Sequence, residues 1–229
     1  MSDDFNPFGG DLDALLNPTA EYETARQLEH PLKHERRAAK RLFVNGLKKQ
    51  ALTALIPELP PPDTDLYVIG NGAGAEKKWQ PGGIDQEAFD FGTFLPYLVE
   101  LLGNSGCVAY VATWTMNRNH ALSMIELLDG GQLARLVLFS DPYFRRREAS
   151  VSAELVSGLQ RHPDSTFLSF KNHVKAMCIA TGDESRTVTV TGSANLSAQP
   201  RAEQYVLTTA PDVYRFFVDE FFEVMLHGN

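Results

Sequence analysis

A chain of 229 residues and 25.4 kDa that is 43% hydrophobic and 22% charged has the balance of a globular protein, which excludes bulk disorder, collagen and coiled coil. With 21 Lys and Arg against 29 Asp and Glu the net charge is -8, so a basic coat is excluded and any nucleic-acid site must be a local patch on an acidic body. No apolar run approaches the roughly 18 residues of a membrane span, and the acidic start MSDDFNPFGGDLD is unlike a signal peptide, so a soluble, cytoplasmic protein with no membrane partner is expected.

Residues 1–30 carry seven acids and one base, whereas residues 31–60 carry seven bases and two acids. That contrast marks 1–60 as an arm and 61–229 as the main domain. In the linker PELPPPD, Pro57, Pro60, Pro61 and Pro62 block helix continuation. The run from Pro31 to Ile56 predicts a helix, with Pro31 in its first turn and Leu42, Leu47, Leu52 and Ile56 on an apolar stripe. Its basic residues include Lys33, Arg36, Arg37 and Lys40. Such a helix fits a phosphate backbone, and it fits equally a solvated face of a helix docked on the body or on a second subunit.

Beyond the linker, LYVIG predicts a strand over 66–70. The glycines that follow, at 70, 72 and 74, lack the spacing of a nucleotide loop and read as a flexible turn. Lys77, Lys78 and Trp79 either touch nucleic acid by charge and stacking or belong to a plain surface loop. FLPYLVELLG predicts a helix ending at Gly103, GCVAYVATW a strand, HALSMIELLDGG a helix stopped by Gly130 and Gly131, and LARLVLFS a strand. A helix is expected from Arg145 to Gln160. Arg145, Arg146 and Arg147 then fall in its first turn, against the helix dipole, where they fit backbone phosphates as well as solvent. STFLSFK, HVKAMCIATG, RTVTVTG and EQYVLTT follow as strands, and VYRFFVDEFFEVML as an apolar closing helix. The expected fold is α/β, a mixed but mainly parallel sheet flanked by helices, with an N-terminal helical arm.

Cys107 and Cys178 sit in apolar runs and read as buried thiols rather than a disulfide or a metal pair. His120 and His162 lack partners at metal spacing and read as structural, so no metal site is expected.

The chemistry lies in the hairpin. Gly182, Asp183 and Glu184 form a strong turn signal, and a turn centred on 182–185 sets Lys175 opposite Gly192 and His173 opposite Ala194. His173 and Lys175 then share a face by the period-two rule, with Ser193 and Asn195 beside them. An imidazole nucleophile, an ammonium and two neutral donors suit a phosphodiester, because each can act on a crowded phosphorus without a metal. The same pattern is also met by a polar hairpin end that simply faces solvent.

In their order, His173-Val174-Lys175, Gly192-Ser193-Ala194-Asn195 and Glu203 in AEQ resemble the phospholipase D superfamily, the His-x-Lys phosphodiesterases. The likeness extends over about residues 64–229, and within that superfamily it points to single-motif, nuclease-like bacterial and prophage members. The resemblance implies that His173 serves as nucleophile or acid by turns, that Lys175, Ser193 and Asn195 clamp phosphoryl oxygens, and that Glu203 orients a histidine. It implies no cofactor. With one His-x-Lys motif per chain, it implies a homodimer that brings two histidines together. Two departures stand out: Ala180 occupies the position where the superfamily usually has Asp, and the interval from His to GSxN is about five residues longer. The expected function is a metal-independent nuclease, and the alternative is a non-catalytic nucleic-acid-binding or assembly module of phage origin.

Overall fold

Short apolar runs bounded by Gly, Pro and polar turns become strands, because alternate side chains can be buried on opposite faces of one sheet. The structure is a computed structural model that describes residues 40–46, 52–71, 89–197 and 202–228, all within one compact unit. The expected contacts of Lys33, Arg36, Arg37, Lys77, Lys78 and Trp79 lie outside the described residues.

In chain order the elements are β1 (Lys40–Gly46), the single turn α1 (Leu52–Leu55), β2 (Thr64–Asn71), a 3-10 turn at Phe91–Thr93 that runs into α2 (Phe94–Leu101), β3 (Cys107–Thr113), α3 (Arg118–Asp129) and β4 (Leu133–Ser140). There follow α4 (Pro142–Arg147), α5 (Ala149–Leu159), β5 (Thr166–Ser169), β6 (Ala176–Ala180), β7 (Thr187–Gly192), β8 (Ala202–Thr208), α6 (Pro211–Phe217), a π-helical turn at Val218–Glu223 and α7 (Val224–His227).

Among the described residues eight strands form one sheet in the order β1-β2-β8-β7-β6-β3-β4-β5. The sheet is mixed but not mainly parallel. β1–β2, β3–β4 and β4–β5 run parallel, while β2–β8, β8–β7, β7–β6 and β6–β3 run antiparallel. The expectation fails because β6, β7 and β8 follow one another with no helix among the described residues between them. Consecutive strands without a crossover can only fold back on each other, and this block inserts between β2 and β3.

The predicted helix over 31–56 is also corrected. Lys40–Gly46 is an edge strand parallel to β2, and Leu52–Leu55 forms only one helical turn. Within KRLFVNG, sheet pairing overrides helix propensity, and Phe43 stacks on Tyr67 across the ladder with centroids 5.2 Å apart.

The sheet separates two cores. On one face Met177, Ile179, Val190, Tyr205 and Leu207 pack with Leu98 of α2, Met124 of α3 and Leu155 of α5. On the other, Tyr110, Phe139, Cys178 and Ala180 pack against Tyr214, Val218 and Phe222 of the C-terminal helical segment. The two cysteines are free and buried, one in each core. Burial pushes the Cys178 thiol up to about 12.

The strand directions gather the loops that carry His173, Lys175, Ser193 and Asn195 at one end of the sheet. The carboxyl ends of β2, β3, β4, β5 and β7 and the amino ends of β6 and β8 all lie on the same side of the sheet. The turn over 181–186 lies on the opposite side.

Candidate active site

The hairpin forms in the expected register. Ala176 pairs with Thr191 and Met177 with Val190, and one step beyond the ladder the Gly192 N–H donates to the Lys175 carbonyl at 3.3 Å. The far turn is held by Asp183, whose Oδ1 accepts from Thr181 Oγ1 at 2.6 Å, Ser185 Oγ at 2.8 Å and Ser185 N at 3.1 Å. The Thr181 hydroxyl and the Ser185 donors hold this carboxyl down at about 2.

At the functional edge the Lys175 ammonium lies 3.2 Å from Nδ1 and 3.4 Å from Nε2 of His173, and it donates to the His173 carbonyl at 2.9 Å. The two side chains therefore share a face, as the period-two rule requires. Burial lowers the Lys175 pKa, and the nearby Glu203 carboxylate opposes that shift. His173 and Ser193 are exposed, while Lys175, Asn195 and Glu203 are half-buried.

On the neighbouring strand ends, Ser193 Oγ donates a short hydrogen bond to Glu203 Oε2 and accepts from Gln204 N at 3.2 Å. Glu203 thus engages Ser193 within the chain rather than His173. Asn195 Oδ1 accepts from the Trp114 N–H at 3.3 Å, so the amide hydrogens of Asn195 are what it has to offer a ligand. Gly192 is required sterically. A Cβ there would lie 2.7 Å from Tyr205 Cδ1 and 2.8 Å from the Gln204 carbonyl oxygen of β8, closer than real contacts allow.

A buried scaffold fixes the loop that carries His173. Asn172, 5% exposed, donates through Nδ2 to the Thr113 carbonyl at 3.3 Å and accepts at Oδ1 from Val174 N at 2.9 Å. Thr113, at the end of β3, accepts at Oγ1 from Leu196 N at 3.2 Å, which ties the Ser-Ala-Asn loop to the same anchor. Sequence reasoning missed Asn172 and Thr113. Asn172 had the signal of standing next to His173, whereas Thr113, 59 positions away, had none near the motif.

Ala180 is sealed in the second core beside Tyr110 and Cys178, on the face opposite His173 and Lys175. The departure at this position therefore leaves the polar corner untouched.

The expected helix over 145–160 breaks at Glu148, which has φ -114° and ψ 50°. Asp141 caps α4, accepting from Tyr143 N at 2.8 Å, and Pro142 opens the helix. Arg145, Arg146 and Arg147 thus occupy a last turn rather than a first, where basic charge suits the dipole, so the dipole argument for a ligand falls away. The three do not act as one group. Arg147 binds the Tyr143 hydroxyl at 3.1 Å and lies 3.5 Å from Glu148, Arg145 is exposed, and Arg146 faces the site. Lys40, the described member of the other basic group, is exposed on β1.

Beside the His173 corner opens a hollow of about 680 Å³ lined by Trp114, Asp141, Pro142, Arg146, Lys171, Asn172 and His173. The remaining described histidines are engaged elsewhere: His120 with Asp90 at 2.8 Å, His162 with Asp129 at 2.8 Å and His227 with Glu223 at 3.1 Å. Among the described residues no group of three or more His, Cys, Asp or Glu is placed to hold a metal ion, and no helix is long and apolar enough to cross a membrane.

No family model and no curated protein matches the sequence. Among solved structures the chain is similar to polyphosphate kinase from Porphyromonas gingivalis, with a TM-score of 0.46 and 11% identity over 62% of this chain and 25% of that one. The likeness thus spans a quarter of that protein's length.

Proposed function

We infer that the chain is a phosphodiesterase of phospholipase D type that cleaves nucleic acid without a metal, through a phosphohistidine and in a homodimer. The observation that carries this reading is the ammonium of Lys175 3.2 Å from the His173 ring, at a hairpin end that also presents Ser193 and Asn195. An imidazole nitrogen of His173 bonds to phosphorus as the bond from phosphorus to the leaving oxygen breaks. Lys175 and the Asn195 amide hydrogens stabilise the non-bridging oxygens. A second imidazolium, from the same residue of a second copy, protonates the leaving alkoxide. Water then hydrolyses the phosphohistidine, releasing a phosphate monoester and restoring the imidazole. Glu203, held by Ser193, would orient the ring of that second copy across the twofold axis.

The need for a second copy follows from the other described histidines, which are paired with carboxylates away from the corner. That same observation favours the second reading, a module that binds phosphate without turnover. Wild type and His173→Ala are compared on plasmid and single-stranded DNA in EDTA, with sedimentation in parallel. Cleavage by a dimeric wild type, lost in the variant, supports the enzyme. Binding with no cleavage under any condition supports the module.

A further inference from the structure

Trp114 and Tyr143 stack nearly parallel, with centroids 4.7 Å apart and planes within 5°. Both are half-exposed and neither belongs to a core cluster, so burial does not account for the pair. Both residues are anchored at the backbone. The main-chain N–H of Trp114 donates to Asn195 Oδ1 and that of Tyr143 to Asp141 Oδ1, while the Arg147 guanidinium lies 5.8 Å from the Tyr143 centroid and donates to its hydroxyl. Trp114 also borders the hollow beside His173, its ring centroid 6.1 Å from the imidazole.

Two cations, Arg146 and Lys171, line the same hollow. Asp141 lines it as well, but each of its oxygens accepts a backbone N–H, from Tyr143 at 2.8 Å and from Asn172 at 3.2 Å. The hollow thus combines a fixed aromatic face with cationic heads, adjoining the imidazole. A flat, uncharged ring joined to a chain of phosphates matches both features.

We propose that Trp114 is a stacking platform for one unpaired nucleobase of a single-stranded nucleic acid, with Arg146 and Lys171 holding the phosphate next to the one at His173. This rests on the phosphodiesterase reading and narrows its substrate. A base in a duplex has both faces covered by its neighbours, so only an unstacked one can lie on the indole. Because Trp114 is already ordered by Tyr143, little side-chain freedom is lost on binding.

The test measures fluorescence anisotropy of a labelled oligothymidylate, an abasic oligonucleotide of equal length and a duplex, with wild type, Trp114→Ala and Trp114→Phe. The expected result is preference for the single strand over both other probes. Affinity for it falls about ten- to a hundredfold in Trp114→Ala and recovers in part in Trp114→Phe. Equal affinity for the abasic probe, preference for the duplex, no binding of any probe, or no change in Trp114→Ala overturns the proposal. Should Trp114→Ala fail to fold, ultraviolet crosslinking of a bromodeoxyuridine oligonucleotide to wild type decides. Crosslinks mapped to the Trp114 peptide support the platform, and crosslinks only elsewhere overturn it. Hydrolysis of bis-p-nitrophenyl phosphate by wild type, lost in His173→Ala, reports the underlying reading separately, since that substrate carries no base.

Discussion

The buried amide of Asn172 donates to the carbonyl of Thr113 at 3.3 Å, joining the loop before β6 to the end of β3 across 59 positions of sequence. His173 is the next residue, so the placement of the imidazole depends on a bond that it does not itself make. Asn172→Ala leaves the Thr113 carbonyl and the Val174 N–H without a partner, at a cost of about 1–3 kcal/mol. Well below the melting temperature, kcat for phosphodiester cleavage is expected to fall more than KM rises, because substrate contacts remain while the nucleophile loses its orientation. Steady-state kinetics and thermal melting of the one variant separate the two effects.

Lys175 is expected to lower stability in the service of binding. Burial depresses its pKa, so the folded state holds this proton less tightly than the unfolded chain does. The penalty is fully present at neutral pH and is relieved as pH rises through the window between the depressed value and the ordinary lysine value. Lys175→Met should therefore melt at a higher temperature than wild type near pH 7, with the gap closing in alkaline solution, and should lose cleavage. Melting curves from pH 7 to 11 provide the check.

Asp90 and His120 form a pair 2.8 Å apart with side chains only 6% and 15% exposed. Burial alone would raise the Asp90 carboxyl, but the charge and hydrogen bond of His120, with bonds from Thr93, outweigh it and bring the pKa below the ordinary range. His120→Ala strands the carboxylate and should destabilise by about 3–5 kcal/mol. A depressed carboxyl stabilises above its unfolded value, and that contribution disappears as pH falls through the folded value. The gap to wild type should be full at neutral pH and shrink in acid, as read by denaturant unfolding at pH 7 and pH 3.

Gly192→Ala is the steric test of the corner. The added methyl meets Tyr205 and the β8 backbone, and backbone cannot rotate away as a flexible side-chain tip can. Overpacking of this kind costs about 1–3 kcal/mol. It should also separate Ser193 from Glu203, so cleavage falls beyond what the stability loss explains. Chemical-shift changes centred on Gln204 and Tyr205 would locate the strain.

The hairpin was legible in sequence because its signals are local. Gly182, Asp183 and Glu184 mark the turn, and the turn sets the register that pairs Ala176 with Thr191. LARLVLFS likewise forms β4 as read, since its apolar run is bounded by Gly131 and Asp141. What escaped depends on residues far apart. Nothing near KRLFVNG announces that β2 will accept it as a parallel neighbour, and helix-forming flanks point the other way. The insertion of β6–β8 between β2 and β3 is a choice of strand order, which alternation of apolar runs does not encode. Trp114 directly follows β3 and Tyr143 lies in the first turn of α4 just after β4, and they meet only because β3 and β4 stop side by side. Asn172 stands beside the motif, yet its partner, Thr113, becomes visible only once the sheet is assembled.

The turn at 181–186 lies at the far ends of β6 and β7, where Arg186 reaches the Leu101 carbonyl at 3.1 Å. The hairpin between His173 and Gly192 is therefore a lever whose tip points away from His173 and Lys175. That tip is a natural handle: a fluorophore or affinity peptide spliced there would report on or immobilise the protein while leaving the opposite rim, with His173 and Lys175, uncovered.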